Sequence, residues 1–187
     1  EERGYGGYAA RNSGIHIASR EFISFLDADD EWLANHLEHI KKCIERFPEV
    51  HFFSSGWYLK SGNVKKKDPY TLQLKESSCH TVSDFYIEAS KGRIPVYTSS
   101  AAVRRSLFKT AGNFPEGKCK KGGDVELWMR CMLHSQIAHT GETTLVYYKD
   151  NPNAVTKVVD DYNIPYVTIS ARELIKGTDK KTSFKIM

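Results

Sequence analysis

Three carboxylates fall within four positions where the apolar run Phe22-Ile23-Ser24-Phe25-Leu26 ends: Asp27, Asp29 and Asp30. Held that closely they repel one another unless a cation sits among them, and all-oxygen ligands suit Mg²⁺ or Mn²⁺. A short apolar run feeding such a cluster reads as a strand covered on both faces. In open α/β sheets, ligands bind outside the carboxyl ends of the strands, which is where these residues fall. The chemistry suggested is a divalent metal holding a phosphate-bearing substrate. The competing reading is that Asp29 or Asp30 caps and charges the start of the next helix. A second acidic point is Asp124, which opens a helix after the glycine- and lysine-rich stretch Asn113–Gly123. At the mouth of a helix it is also a good N-cap.

The elements that must position these groups follow from pattern. At 187 residues the chain is long enough for one domain with a proper core and short for two. A net charge of +4 favours anionic substrates or a membrane surface mildly and does not point to nucleic acid. No apolar run approaches the ~18 residues of a spanning helix, and no signal-peptide pattern opens the chain. Cys43, Cys79, Cys119 and Cys131 lie far apart without a CxxC pair, as reduced thiols of a cytosolic protein do. Tyr8 to Ala18 predicts a helix whose small residues allow close packing. After Asp30, the spacing of Leu33, Leu37, Ile40 and Ile44 predicts an amphipathic helix ending at Phe47-Pro48. Val50–Tyr58, Thr98–Val103 and Thr143–Tyr148 read as strands; Val82–Ser90, Arg104–Ala111, Asp124–Leu133 and Ile164–Ile175 read as helices. Ser61-Gly62-Asn63 is a turn signal, Lys65-Lys66-Lys67 an exposed loop, and Asp150–Asn153 a turn. The lysine run is either a solvated loop or a contact for phosphate or lipid headgroups. Strands alternating with helices give an α/β sheet with covered faces.

Three segments taken together carry a family resemblance. The run Ala9-Ala10-Arg11-Asn12-Ser13-Gly14-Ile15, followed by Phe22 through Asp30 and then Glu31-Trp32, resembles family 2 glycosyltransferases of the GT-A fold. Arg105-Ser106-Leu107-Phe108, Gly112-Asn113-Phe114 and Gly123-Asp124-Val125-Glu126-Leu127-Trp128-Met129-Arg130 are similar to that family's second signature. Tyr147 through Thr156 resembles its terminal strand and turn. The resemblance implies a mixed, mostly parallel sheet flanked by helices, and transfer of a sugar from a nucleotide sugar to a hydroxyl acceptor. It assigns Asp27 to the nucleoside side of the donor, Asp29 to a Mn²⁺ or Mg²⁺ ion on the diphosphate, and Asp124 to the catalytic base. Arg11 and Asn12 fall near the nucleotide in a supporting role, and Asp30 either caps the Glu31–Arg46 helix or supports the metal-holding carboxylates from behind. Arg130 supports the site or pairs with Glu126. A base opposite the leaving group implies single displacement with inversion. The family implies a donor of the uridine-diphosphate-sugar type, a saccharide or lipid-linked acceptor, no nucleic acid, and a cytoplasmic setting with peripheral contact at the inner membrane face.

The chain also departs from the family pattern. Gly123 stands where the family has Glu before its base, and Asn151 where many members place a histidine. The family's opening strand–helix–strand unit has no counterpart before Glu1. The expected organisation is thus the later part of a GT-A catalytic domain over residues 1–156, with a helix and tail over 157–187. An open sheet edge in such a fragment invites pairing with a second copy. Two rival readings are a haloacid-dehalogenase-type phosphatase, which also carries a DxD after an apolar strand, and a degenerate, non-catalytic transferase module.

Overall fold

The computed structural model describes residues 7–151 and 166–177. The proposed boundary near residue 156, the lead-in at residues 4–6 and the lysine-rich end lie outside the described residues, as do Pro152 and Asn153 of the expected turn. The chain forms two compact units, one of residues 21–105 and 135–151, the other of residues 1–20, 106–134 and 152–187.

The sheet lies in the first of these units. Its strands are β1 (Phe22–Ser24), β2 (Asp30–Trp32), β3 (Phe52–Ser61), β4 (Val64–Lys67), β5 (His80–Thr81), β6 (Ala102–Arg104) and β7 (Ile137–Tyr148). Their order is β1-β6-β3-β7-β2, with β4 on β3 and β5 on β7. The sheet is mixed and not, as expected, mostly parallel: β3 and β7 run parallel, and the other described pairs are antiparallel. Nor is β1 covered on both faces: it lies at the end of the strand order, its three residues are half-buried, and Leu26 beyond it is exposed, because an end strand has a neighbour on one side only. The core sits where β3, β6 and β7 meet helix α2 (His36–Arg46), with Ile40, Cys43, Val50, Phe53, Ala102 and Ala138 buried together. Burying one such phenylalanine contributes about 1.5–3 kcal/mol.

β7 is long because it does two jobs, and Gly141 divides them. Its φ of +76° is a backbone state that disfavours side chains, and a Cβ there would lie 2.5 Å from the backbone of Ser78. The register of β3 against β7 shifts on either side of Gly56, so β7 carries extra residues around Gly141. Upstream of this bulge β7 pairs with β5; downstream it pairs with β2 and fixes the acidic turn.

Three local expectations need correction. Asp30 does not cap a helix: it begins β2, opposite Tyr147, and the helix starts at His36 after Asn35. Three residues are too short for an alternation to show, and Trp32 rather than the periodicity decides, because its indole is tied into the site. The buried stripe of α2 is His36, Ile40 and Cys43, leaving Leu37 56% exposed. The lysine run forms the edge strand β4 instead of a loop, since the Gly62 turn folds it back on β3. Short helices α3 (Pro69–Leu72) and α4 (Phe85–Ser90) complete this unit, each capped by an aspartate, Asp68 and Asp84.

The second unit is helical. It contains α1 (Tyr8–Ile17), α5 (Leu107–Ala111), α6 (Gly123–Met132) and α7 (Tyr166–Gly177). Tyr8 stacks on Phe114 at 5.9 Å, and Phe114 meets the buried Trp128 edge-on at 5.6 Å.

Candidate active site

In the sheet unit the chain leaves β1, makes one hydrogen bond from Phe25 N–H to the Ala101 carbonyl, and turns. The turn closes by the Asp30 N–H donating to the Asp27 carbonyl at 3.0 Å. Asp27, Asp29 and Asp30 are all half-buried here. Ser99, itself fully buried, holds the turn at both ends. Its Oγ accepts from the Asp27 N–H at 3.0 Å and donates to Asp30 Oδ2 at 2.5 Å. Its carbonyl accepts from the Trp32 indole N–H at 2.6 Å. Trp32 stacks on His36 at 4.5 Å, and His36 Nδ1 bonds Thr144 Oγ1 at 2.8 Å, so the turn is anchored through to β7.

The electrostatics of this turn are those of crowded, partly buried carboxylates. Burial first, then the charges of Asp27 and Asp29, push the Asp30 carboxyl up to about 6 against the opposing Ser99 hydrogen bond. Asp30 Oδ1 is buried without a hydrogen-bond partner. Burial and the charges of the same three aspartates also raise the Tyr147 hydroxyl, whose ring packs on Tyr97 at 4.8 Å. Asn151 reaches the turn and donates from Nδ2 to Asp29 Oδ2 at 2.8 Å. The residue at the expected histidine position is therefore at the cluster, as an amide. Among the described residues no three His, Cys, Asp or Glu side chains form a ready cage for a metal. A cation here would take one or two carboxylates and complete its shell from phosphate oxygens and water, the usual habit of Mg²⁺. The orphaned oxygen and the mutual repulsion fit such an ion.

In the helical unit Asp124 is the second residue of α6. The N-cap is Gly122, at φ 74°, with no side-chain cap, so Asp124 stands in the first turn instead of closing the helix end. Gly123 explains itself: a Cβ would lie 2.7 Å from Tyr8 Cζ and Pro115 Cγ and 2.9 Å from Cys119 Sγ. A glutamate cannot enter that space unless its neighbours move. Tyr8 Oη instead accepts from the Gly123 N–H at 2.9 Å. Burial, then the Asp124 charge, pushes the Tyr8 hydroxyl up to about 12. The space that a side chain at position 123 would take, next to Asp124, is thus filled by the Tyr8 phenol.

The remaining candidates brace this unit. Asn12 clamps the loop after α5, accepting from the Phe114 N–H at 2.9 Å and donating to the Phe114 carbonyl at 3.1 Å. The Arg11 guanidinium lies 5.4 Å from the Phe114 ring and 5.9 Å from the Tyr8 ring. Arg130 does pair with Glu126, bidentately at 2.8 and 2.7 Å, and also donates to the Ala111 and Asn113 carbonyls. Glu126 is buried and accepts from Ser170 of α7 at 2.7 Å. A cavity of about 660 Å³ lies beside this pair, lined by Phe114, Lys118, Tyr166 and Glu173 among others. Asp27, Asp29 and Asp30 belong to the sheet unit; Arg11, Asn12 and Asp124 to the helical one. Ser99, Tyr8 and Tyr147 were not legible as site residues. No motif or spacing marks them, since each is brought to its partners by contacts far apart in the chain.

The family model for glycosyl transferase family 2 matches residues 1–111. An uncharacterized glycosyltransferase of Methanocaldococcus jannaschii is 25% identical over 90% of this chain and 56% of its own length. Among solved structures, the S. aureus TarS fragment in complex with UDP-GlcNAc superposes with a TM-score of 0.74 at 20% identity, covering 99% of this chain and 51% of that one. GalNAc-T7 with UDP, GalNAc and Mn²⁺ superposes at 0.52 with 14% identity, covering 79% of this chain and 31% of that one. The TarS likeness is one of fold, the GT-A α/β fold. The chain spans about half the length of the relatives it matches first. Among the described residues, no helix is long and apolar enough to cross a membrane.

Proposed function

Because the chain belongs to glycosyl transferase family 2, we propose that it moves a sugar from a nucleoside-diphosphate donor to a hydroxyl acceptor with inversion. The observation that carries this reading is the acidic turn pinned by Ser99, with its crowded, partly desolvated carboxylates. Asp27 faces the nucleoside side of the donor, and Asp29 holds Mn²⁺ or Mg²⁺ on the diphosphate. When bound, that ion supplies Lewis-acid stabilisation of the charge on the departing diphosphate. Asn151 orients the Asp29 carboxylate by its hydrogen bond. Asp124 takes the proton from the acceptor hydroxyl as its oxygen bonds the anomeric carbon and the bond to the diphosphate breaks. Tyr8 holds the backbone next to that base. Arg11 and Asn12 support the loop that leads to it.

The UDP and UDP-sugar ligands of the two structural relatives support a uridine-diphosphate donor. The Mn²⁺ in one of them supports a divalent ion. A saccharide or lipid-linked acceptor, met at the cytoplasmic face of a membrane during polysaccharide or glycolipid assembly, is the setting this reading implies. The phosphatase alternative has no counterpart in the family match. The degenerate-module alternative keeps one specific observation, the loss of the family's glutamate at Gly123. Comparing sugar transfer by the wild type and by Asp124→Asn, over a panel of nucleotide sugars with Mn²⁺, separates the two. Loss by about 10²-fold or more is the expected result for a base. Undiminished transfer in the variant removes Asp124 from the mechanism, and no transfer from any donor by the wild type favours the degenerate module.

A further inference from the structure

The β3–β4 hairpin carries a second surface that the transfer reaction does not use. Directly opposed residues of neighbouring strands share a face, as do alternate residues along one strand. The pairs Lys60↔Lys65 and Tyr58↔Lys67 therefore place three lysines and a tyrosine on one face of the hairpin. The pair Lys60↔Tyr148 adds Tyr148 from β7. The contacts agree: Lys65 Nζ lies 4.1 Å above the Tyr58 ring, and Lys60 Nζ lies 5.0 Å above the Tyr148 ring. Lys66, opposite Leu59, points to the other face. All of β4 is exposed, and Val64, next to the turn, is 53% exposed. None of the four lysines is ion-paired among the described residues. Three carboxylates lie close by, and all are engaged: Asp68, directly after Lys67, is buried and accepts from the Trp57 and Thr71 N–H groups at 3.0 and 2.8 Å. Glu31 accepts from the Tyr148 hydroxyl at 2.6 Å, and Asp150 ties the turn through Ser61 Oγ at 2.7 Å and the Gly62 N–H.

We propose that this face docks the protein onto an anionic lipid bilayer. Lysine heads are compact, strongly hydrated charges that suit the diffuse field of a headgroup layer better than bidentate capture of one phosphate. The two tyrosine rings lie beneath ammonium groups, so they offer no open platform for stacking bases or sugars. That arrangement favours a lipid surface over a nucleic acid or a glycan.

The test is flotation of the protein with phosphatidylcholine vesicles and with vesicles also containing phosphatidylglycerol, at about 0.1 M salt, within a Debye length of about 10 Å. The protein is expected to float with the anionic vesicles only, and less so as salt rises. Each lysine removed is expected to weaken binding about fivefold, so Lys60→Gln/Lys65→Gln/Lys67→Gln loses on the order of 10²-fold. The matching Lys→Arg triple is expected to retain binding. A charge-matched triple at exposed positions elsewhere, Lys41→Gln/Lys75→Gln/Lys91→Gln, is expected to stay near wild type. Equal loss in both glutamine triples, or retention in the hairpin triple, overturns the assignment in favour of net charge alone. Retention of heparin or polyphosphate without flotation overturns it in favour of a soluble polyanion. No substrate is present in this measurement, so it stands or falls apart from the transferase reading.

Discussion

Removing one hydroxyl, by Ser99→Ala, tests whether the acidic turn is held as described. In the wild type that oxygen accepts from the Asp27 N–H and donates to Asp30 Oδ2. Asp30 Oδ1 has no close partner, so the variant leaves the side chain with only the weaker support of the Tyr148 backbone N–H. A hydrogen bond to a charged group is worth about 1.5–3 kcal/mol, and one to a neutral group about 0.5–1.5. The Asp30 carboxyl sits near about 6, above its ordinary 3.8. Its sign follows from that direction. Between those two values the folded protein holds a proton that the unfolded chain has lost, so ionising Asp30 destabilises the fold as pH rises. The Ser99 bond offsets part of that penalty only when Asp30 is charged. Urea unfolding of both proteins is therefore expected to differ by about 2–3 kcal/mol near pH 7.5 and by only about 1 kcal/mol near pH 5. A loss below about 0.5 kcal/mol at the higher pH, or one that grows as pH falls, refutes this account of the turn.

Other expectations follow from the same geometry. Arg130→Met strands the buried Glu126 carboxylate and is expected to cost about 3–5 kcal/mol in chemical denaturation, much of it recovered by adding Glu126→Leu. Gly123→Ala forces contacts at 2.7 Å with Tyr8 and Pro115, and is expected to lower stability by about 1–3 kcal/mol in a thermal melt. Burial holds His36 near about 4 and His139 near about 3, with His39 and His80 pushing the same way. Both are neutral in the fold while the unfolded chain protonates below about 6.5, so stability is full above that pH and falls as pH drops toward 4. Asp30 opposes this trend over part of the range. His36→Gln is expected to flatten the acid limb of a stability-versus-pH curve; an unchanged limb removes His36 as a cause.

Much of the architecture was readable from pattern because it rests on local signals. The apolar run before Asp27, the helical spacing at Ile40 and Ile44, and the glycine turn at Gly62 each name their element without tertiary help. What escaped depends on long-range contact. β2 has only three residues and exists because Trp32 reaches Ser99 and Leu33 bonds the Thr144 carbonyl. The lysine run looked like a loop because its charge says nothing of the strand it lies beside. Gly123 read as a lost carboxylate, whereas the structure shows a space filled by Tyr8, 115 residues away along the chain. Asn151 and Ser99 carry no motif of their own; only folding brings them to Asp29 and to Asp27 and Asp30.

The central claim is that Asp29 and a divalent ion together hold the donor's diphosphate. The most direct measurement is the thermal midpoint of the wild type and of Asp29→Asn with uridine diphosphate, with Mn²⁺, and with both. Ligand at about a hundred times its dissociation constant stabilises the folded state by about 2.7 kcal/mol. A rise of a few degrees in the wild type only when both are present, and lost in Asp29→Asn, is the predicted result. An equal rise in the variant, or one from the nucleotide that Mn²⁺ does not change, contradicts it.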